Sequence, residues 1–231
     1  MGTMVRISGS EFERQEPAGC NPGTSFSVKN LFFNVPARRR FLKSTSTELK
    51  HIINEFQRVA LAQPGIGFSL VHNDSVIYKV QPETKKERIA HLMGHHFNHN
   101  LVNLETKTSI VNITGYIGKP EKARKTYGEQ FFFVNNRYMR HPYLNKAVLS
   151  AYESLLPPES IPSYFIFLDI DPEHVDINIH PTKTEIKFDD ERSIFQILLA
   201  SVKEGLGKFS ITPSLDFDQD GAIDIPVFRN R

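Results

Sequence analysis

Residues 176–188, with the sequence DINIHPTKTEIKF, constrain the fold of this chain more than any other stretch. Ile177 and Ile179 alternate with polar residues, which is the pattern of a strand with one buried face. Pro181 cannot donate a hydrogen bond to a neighbouring strand, so pairing must stop or bulge there. The pattern predicts two short strands broken at a corner, with Lys183 just after the break. A lysine at such a corner can reach phosphate oxygens in a cleft, and the alternative is a solvent-facing lysine in a turn.

Two further motifs accompany this segment. Residues 23–43 read GTSFSVKNLFFNVPARRRFLK, and residues 134–137 read VNNR, ahead of the HPTK of residues 180–183. In this order they resemble the motifs of the MutL family of DNA mismatch-repair ATPases, which carry a GT-to-FL run containing LFxNxPAR, then VNGR, then DVNVHPAKxEVxF. The resemblance covers about residues 1–210. Asn136 replaces the family glycine, and asparagine also tolerates the left-handed conformation of such a turn.

The resemblance implies an α+β fold with two domains. Residues 1–90 would be the C-terminal part of a GHKL-type ATPase α/β sandwich, residues 91–208 a second domain, and residues 209–231 an acidic linker. The second domain would have a ribosomal-protein-type β-α-β fold with a left-handed crossover. The residues themselves also favour the α+β class, because predicted strands outnumber helices and are mixed with them along the chain.

Two residues receive nucleotide-binding roles from the resemblance. Lys183 matches the family lysine that reaches from the second domain to the γ-phosphate of ATP, so it is the candidate catalytic residue. Its charge would stabilise the transferring phosphoryl group. Thr24 matches a threonine on the floor of the adenine pocket, whereas its sequence context alone favours a turn glycine followed by a strand. The implied cofactors are ATP and Mg²⁺, bound by the full-length protein.

Several ATP-binding elements of GHKL proteins do not occur in this sequence. These are a helix with a glutamate general base and a magnesium-binding asparagine, a D-x-G-x-G turn and a glycine-rich lid. We therefore expect the chain to be an internal fragment of the amino-terminal half of a longer protein. Metal-assisted attack on the γ-phosphate needs the missing groups. The fragment alone is expected neither to hydrolyse ATP nor to bind a cofactor tightly.

The resemblance also implies macromolecular partners. They are DNA, mismatch-recognition and downstream repair proteins, and a second copy of the full-length protein, which closes into a dimeric clamp when ATP binds. Six basic residues are candidates for contacts with DNA phosphates: Lys119, Lys122, Arg124, Lys125, Arg137 and Arg140. The alternative for residues 118–125 is a solvated basic loop. The arginines at 38–40 also suit phosphates, but the resemblance places them on a packing helix.

Composition narrows the class of protein. The formal charge is only +2, so no overall field demands a polyanionic partner. Cys20 is the only cysteine, which excludes an internal disulfide framework and fits a reducing compartment. No apolar run approaches the roughly 20 residues that span a bilayer, and no signal region precedes the first strand. These features predict a soluble, intracellular protein without a membrane partner, and the resemblance implies the cytoplasm of a bacterium.

Two alternative functions stay open at this point. The first is a nucleotide-independent DNA-binding module, in which the basic loop acts alone. The second is another GHKL ATPase, such as a type II topoisomerase subunit or a heat-shock chaperone, although those proteins lack the FNVPAR run of residues 33–38.

Neither of two suggestive stretches indicates a metal site. Residues 216–221 copy the first half of an EF-hand loop, but Val227 stands where a bidentate glutamate belongs. Four histidines lie within residues 91–99, without the fixed carboxylate or thiolate partner that a metal centre usually has.

Local signals predict the elements that matter below. They are, in chain order, a strand over 3–8, a polar loop, a strand over 24–29, a helix capped by Asn34, helices opened by capping boxes at Thr45 and Thr84, a hairpin over 68–80, and a closing helix from 191 that ends at Gly207.

Overall fold

The computed structural model describes residues 1–177 and 184–211, with side chains as far as Phe209. Its contacts divide the chain into two compact units, Met1–Asn54 and Glu55–Arg231, and each unit is described by itself. The acidic stretch from residue 212 onward, including the EF-hand-like sequence, lies outside the described residues.

The first unit contains a β-hairpin and two helices. Its elements are β1 (Gly2–Ser8), β2 (Glu11–Ala18), α1 (Pro36–Phe41) and the start of α2 (Thr45–Ala62). The two strands pair antiparallel. Gly9 and Ser10 form their turn with φ of 59° and 73°, the positive values that tight hairpin turns require. No residue of this unit is buried.

Four expectations for the first unit are wrong. Thr45 does not cap α2 but is its first residue, and the hydroxyl of Ser44 before it accepts from the N–H of Thr47 at 3.4 Å. Residues 11–18 form β2 rather than a polar loop, because the turn at residues 9–10 reverses the chain. Residues 24–29 have no regular structure, since none of the described strands runs beside them and a strand needs a partner for its backbone groups. The residue before α1 is Val35, with no side-chain cap, so Asn34 does not cap this helix.

The second unit holds most of the regular structure. Its elements after the end of α2 are β3 (Phe68–His72), β4 (Ser75–Val80), α3 (Lys85–Met93), α4 (Phe97–Asn100), β5 (Leu101–Lys107), β6 (Asn112–Gly118), β7 (Gln130–Val134), β8 (Arg137–Met139), α5 (Pro142–Tyr152), β9 (Tyr164–Asp169), β10 (Val175–Asp176), β11 (Lys187–Phe188) and α6 (Glu191–Ile211).

Five of these strands form one sheet in the order β5-β6-β9-β7-β8. Its pairs are antiparallel except β7 with β9, which run parallel. Parallel neighbours need a crossover connection, and α5 lies in the connection between them. The predicted β-α-β unit is therefore present, while the left-handed crossover stays a prediction. The mixture of helices and strands confirms the α+β class.

Both faces of this sheet are buried. Phe132 and Ile166 lie in a core with α5 and α6, whereas Phe131 and Phe165 lie in a second core with the end of α2, β4 and α3. The rings of Phe131 and Phe165 stack with centroids 5.5 Å apart. Gly115 in β6 has φ of 138°, and a Cβ atom there would overlap the carbonyl oxygen of Phe165. A glycine is required where these strands approach.

Residues on both sides of position 90 share the second core, for example Val80 and Phe97. The contacts divide the chain after Asn54. This division does not test the domain boundary predicted near residue 90, which stays a prediction. The closing helix α6 runs to Ile211 instead of ending at Gly207. A glycine ends a helix by adopting positive φ, and Gly207 does not adopt it.

Candidate functional site

Lys183, the central residue of the predicted site, lies outside the described residues, as does all of 178–183. The structure shows how the chain enters and leaves this segment. On the entry side are β10 and Ile177, and on the exit side are Thr184 to β11.

Backbone pairing joins the two sides of the segment. Val175 pairs with Phe188, and Asp176 pairs with Lys187, in an antiparallel ribbon. The side chain of Phe188 is 2% exposed and that of Ile186 is 4% exposed. Both belong to the core under α5 and α6, and Val175 packs against it. The ribbon is therefore anchored in the interior of the second unit.

A second anchor acts on the residue that follows Lys183 in sequence. The backbone N–H of Arg140 donates to the carbonyl oxygen of Thr184 at 2.7 Å. Arg140 also forms an isolated parallel bridge with Glu185. The end of β8 thus holds the exit side of the segment.

The VNNR motif forms the turn between β7 and β8 and ties it to the same region. Asn135 and Asn136 have φ of 48° and 62°, which confirms that asparagine keeps the turn where the family has glycine. The Asn135 side chain donates to the carbonyl oxygen of Ile170 at 2.8 Å and accepts from its N–H at 3.0 Å. This amide therefore fixes the chain between β9 and β10.

Two histidines lie beside the anchored ribbon. His141 accepts from the N–H of Leu144 at 3.2 Å and so caps α5. Burial lowers the pKa of His141, and the nearby carboxylate of Glu191 opposes that shift. The carboxylate of Asp189 accepts a hydrogen bond from Nδ1 of His174 at 3.0 Å, and this bond raises the pKa of the exposed His174. One imidazole thus favours its neutral form and the other its charged form.

Thr24, the predicted adenine contact, lies in the first unit. It is exposed and belongs to neither helix nor strand, in the stretch between β2 and α1. Its predicted role stays a prediction.

The six predicted DNA contacts do not form one cluster. The register places Gly118, Gln130 and Tyr164 at one end of the sheet, and the basic loop, residues 118–125, begins at that end. Arg137 pairs with Val134, at the opposite end of β7. The structure therefore groups Lys119, Lys122, Arg124 and Lys125, and it separates Arg137 from them.

Arg124 holds the basic loop in place. Its guanidinium lies 2.7 Å from a carboxylate oxygen of Glu129 and donates to Nε2 of His96 at 2.9 Å. The other carboxylate oxygen of Glu129 accepts from the hydroxyl of Ser163 at 2.5 Å. The backbone of Arg124 also exchanges two hydrogen bonds with Ile161, at 3.1 and 2.7 Å. Arg124 thus fixes the path of the loop, whereas Lys122 projects from it exposed.

Arg88 is the main buried polar residue that the sequence analysis missed. It is 0% exposed, and its Nε lies 2.5 Å from the carboxylate of Glu83. Its guanidinium also donates to five backbone carbonyl oxygens: those of Ala60, Gln63, Pro64, Ile66 and Gln81. Arg88 joins the end of α2 to the strands and helix that follow. An arginine beside the apolar run Ile89–Ala90 is the one local signal of this role.

Two of the four histidines of residues 91–99 contact polar groups of the protein. Nδ1 of His91 lies 2.5 Å from the carboxylate of Glu83, and His96 accepts from Arg124. Over the residues that the structure describes, no three His, Cys, Asp or Glu side chains are placed to hold a metal ion. In the same part of the chain, no helix combines the length and apolar character needed to cross a bilayer.

Comparisons with known proteins agree with the motifs. A family model described as "DNA mismatch repair protein, C-terminal domain" matches residues 89–207. The DNA mismatch repair proteins MutL of Phocaeicola vulgatus and Parabacteroides distasonis are 53% and 51% identical to this chain, each over 99% of its length. The chain spans 37% of the length of both relatives.

Two solved structures share the fold. The N-terminal domain of a DNA repair protein aligns with a TM-score of 0.74 and 20% identity, over 87% of this chain and 66% of that one. The Aquifex aeolicus MutL ATPase domain, solved in complex with ADP, aligns with a TM-score of 0.58 and 19% identity, over 74% and 62%. At these identities the likeness concerns the fold alone.

Proposed function

Because the chain belongs to the MutL family of DNA mismatch-repair proteins, we propose that it is part of an ATP-dependent clamp that recruits repair partners to mismatched DNA. Membership of this family excludes the alternative that the chain is part of a type II topoisomerase subunit or a heat-shock chaperone. In the proposed clamp, ATP binding closes two copies of the full-length protein, and the closed state binds the mismatch-recognition and downstream repair proteins.

The anchoring of the chain on both sides of residues 178–183 carries this proposal. Phe188 is buried in the core, and the N–H of Arg140 holds Thr184. A lysine sensor must be presented by a rigid element, because a charge stabilises a transition state only when its position is fixed beforehand. The second unit supplies such a support for the described residues that flank Lys183 in sequence.

In the proposed chemistry, the ammonium group of Lys183 contacts the γ-phosphate and offsets the charge that develops during transfer. Thr24 contributes to the adenine pocket. Mg²⁺ would polarise the phosphate oxygens when bound, and the D-x-G-x-G turn that accompanies its site in the family does not occur in this sequence. This chain matches 37% of the relatives' length. We infer that the metal ligand and the general base lie in the remaining 63%.

This function also gives Lys183 a regulatory part. A contact made with ATP and not with ADP stabilises the closed state selectively, and only such differential contacts shift a conformational equilibrium. Lys183 would therefore couple the nucleotide to the second unit.

ATP turnover of the full-length protein tests the proposal. We expect Lys183→Ala to lower kcat by about 100-fold or more, as loss of a transition-state charge contact does. Lys187→Ala is the matched control, because Lys187 is an exposed lysine of the neighbouring strand β11, and its turnover should match the wild type. Unchanged turnover in Lys183→Ala would remove this residue from the mechanism. By itself, this chain should show no micromolar magnesium-ATP binding by calorimetry.

The second candidate function, nucleotide-independent DNA binding, is favoured by the basic loop. Arg124 holds its path through Glu129 and His96, so Lys122 and Lys125 are presented without an ordering cost. Lys125 pairs with the exposed Glu159 at 3.3 Å, an ion pair of little strength. We propose that these lysines contact DNA phosphates and that Arg124 positions them, while Arg137 and Arg140 form a separate contact.

DNA binding without nucleotide distinguishes the two functions. Lys122→Ala with Lys125→Ala should weaken binding and reduce its salt dependence, since each phosphate contact releases counterions. Lys146→Ala, an exposed lysine on α5, should leave both unchanged. Binding that only appears with ATP would favour the clamp over the independent module.

A further inference from the structure

A groove of about 850 Å³ runs along β5 in the second unit. Its walls come from α3, α4, β5, the residue after β6 and the end of α6. It is lined by Lys86, Asn98, His99, Leu101, Val102, Asn103, Glu105, Lys107, Lys119, Lys208 and Phe209. We call it the β5 groove. Of the residues that the sequence analysis singled out, Lys119 and His99 line it.

Four lysines from four different elements converge on this groove. They are Lys86 of α3, Lys107 of β5, Lys119 after β6 and Lys208 of α6. Glu105 is the single carboxylate among the residues lining the groove. Two of these lysines pair with carboxylates, so the described lining carries a net positive charge from the other two, although the chain as a whole carries only +2. A basic patch on a nearly neutral chain is typical of a site that binds a polyanion.

The ion pairs within the groove are weak enough to exchange for an anion. Lys107 lies 3.2 Å from Glu105, and Lys208 lies 2.6 Å from Glu204. The side chains of these two lysines are 73% and 74% exposed. Exposed pairs of this kind contribute little to stability. Phosphate oxygens can therefore replace the carboxylates at small cost.

An aromatic ring and an open strand edge complete the groove. Phe209 is half-buried, and the ammonium of Lys119 lies 5.0 Å from its ring centroid. Strand β5 pairs with β6 on one side, and on the other side it has no strand partner among residues 1–177 and 184–211. A basic groove beside an aromatic side chain is the arrangement by which proteins bind single-stranded nucleic acid without sequence preference.

We propose that the β5 groove binds the phosphate backbone of a single DNA strand through Lys86, Lys107, Lys119 and Lys208. The proposal rests on the DNA engagement proposed above, and it extends that contact from the basic loop, which shares Lys119, to a built groove. A volume of about 850 Å³ is in the range of small-ligand clefts, which is room for a few nucleotides of a flexible strand. Asn98 and Asn103 supply uncharged hydrogen-bonding groups beside the lysines.

The salt dependence of binding to a 30-nucleotide single strand tests this proposal. Each phosphate neutralised on a single strand contributes about 0.7 to the slope of log K against log salt. Substituting Lys86, Lys107 and Lys208 together by alanine should therefore lower the slope by about 2. Lys203→Ala is the matched control, because Lys203 is an exposed lysine of α6 that does not line the groove. An unchanged slope in the triple variant overturns the proposal, and unchanged circular dichroism establishes that this variant is folded.

Two more measurements separate this proposal from its rivals. Phe209→Leu should weaken single-strand binding by about tenfold while keeping the salt slope, because stacking is lost and the charges are not. Duplex DNA should bind no less tightly to the triple variant than to the wild type. An extended acidic peptide should be tested as a competitor of the single strand. If the triple substitution weakens binding of this peptide but not binding of the single strand, the groove binds a protein partner and the assignment to DNA is wrong.

The basic loop separates failure here from failure of the proposed DNA function. If Lys122→Ala with Lys125→Ala weakens DNA binding and the triple groove variant does not, the groove proposal is wrong and DNA engagement stands. If neither variant weakens DNA binding, both proposals are wrong.

Discussion

The two units of this chain use similar apolar side chains very differently. In Met1–Asn54 no residue is buried, and Phe26 and Phe41 are 88% and 77% exposed. In the second unit, Phe133 and Phe165 are 0% exposed, and each stacks against another phenylalanine ring. In both units, the sequence around these phenylalanines has the apolar periodicity that predicts a buried helix or strand. Periodicity therefore reports which face can be buried, and burial itself requires a partner surface.

The same difference explains which strands form. Residues 24–29 have the alternation of a strand but none of the described strands beside them, and they stay irregular. Strand β7 is bordered by β9 and β8, so its backbone groups are paired and both of its faces are covered. Four predictions, ordered from the largest expected effect to the smallest, sharpen or break this comparison.

The largest effect is expected from removing a core ring. Phe165→Ala should lower the free energy of unfolding by about 3–5 kcal/mol, because it removes buried apolar area and leaves a cavity. Phe26→Ala, at an exposed position of the first unit, should change it by less than about 0.5 kcal/mol. Urea unfolding followed by circular dichroism measures both, since the chain has no tryptophan. Equal losses would show that the first unit has a core of its own.

Arg88→Met should cost about 3 kcal/mol, because it removes the guanidinium from the carboxylate of Glu83, whose side chain is 10% exposed, and leaves several backbone carbonyls without their donor. Arg39→Met is the control in the first unit, where the side chain is exposed. The same unfolding measurement compares them. A stable Arg88→Met protein would mean that water replaces the guanidinium, contrary to its complete burial.

Helix caps give a smaller contrast. Thr84 forms a complete capping box with Glu87, with bonds of 3.3 and 2.9 Å, so Thr84→Ala should cost about 1 kcal/mol. At α2 the accepting residue is Ser44, one position before the predicted cap Thr45, and its hydroxyl lies 3.4 Å from the N–H of Thr47. Ser44→Ala should cost about half as much or less. A larger loss from Ser44→Ala would contradict the ranking.

The smallest effect concerns pH. The pKa of His141 is lowered by burial, so the unfolded chain takes up this proton before the folded protein does. Stability from neutral His141 is therefore present above the unfolded pKa of about 6.5 and falls as pH drops towards the folded value. His141→Asn keeps a cap for α5 and should flatten this decline between pH 7 and 5.

Unfolding free energies at several pH values check that expectation. The raised pKa of His174 acts in the opposite direction, giving stability that is present at low pH and lost as pH rises. His174 is present in both the wild type and His141→Asn, so the difference between their unfolding free energies reports on His141 alone. Parallel pH curves for the two proteins would contradict the assignment.

Local signals were sufficient for much of the second unit. The hairpin β3–β4 and the capping box at Thr84 were predicted correctly, because a tight turn and a cap depend on neighbours in sequence. The β1–β2 hairpin was missed although Gly9 and Ser10 mark its turn. Arg88 was missed because its partners lie up to 28 residues away in sequence.

The site was predictable in part for the same reason. Motif order identified the family and the turn at Asn136, which depend on contiguous residues. The order of the sheet and the β5 groove depend on residues between 86 and 209, and no local pattern links such distant positions. The tie between Asn135 and Ile170 likewise appears only once β7 lies beside β9.

The most direct test of the central claim, that Lys183 contacts the γ-phosphate, compares two nucleotides on the full-length protein. Calorimetric affinities for ADP and for a non-hydrolysable ATP analogue should be measured for the wild type, Lys183→Ala and Lys187→Ala. We predict that Lys183→Ala weakens binding of the analogue by about tenfold or more, as loss of a charge-assisted contact does, and leaves ADP binding unchanged. An equal loss for both nucleotides, or no loss for either, would contradict the account.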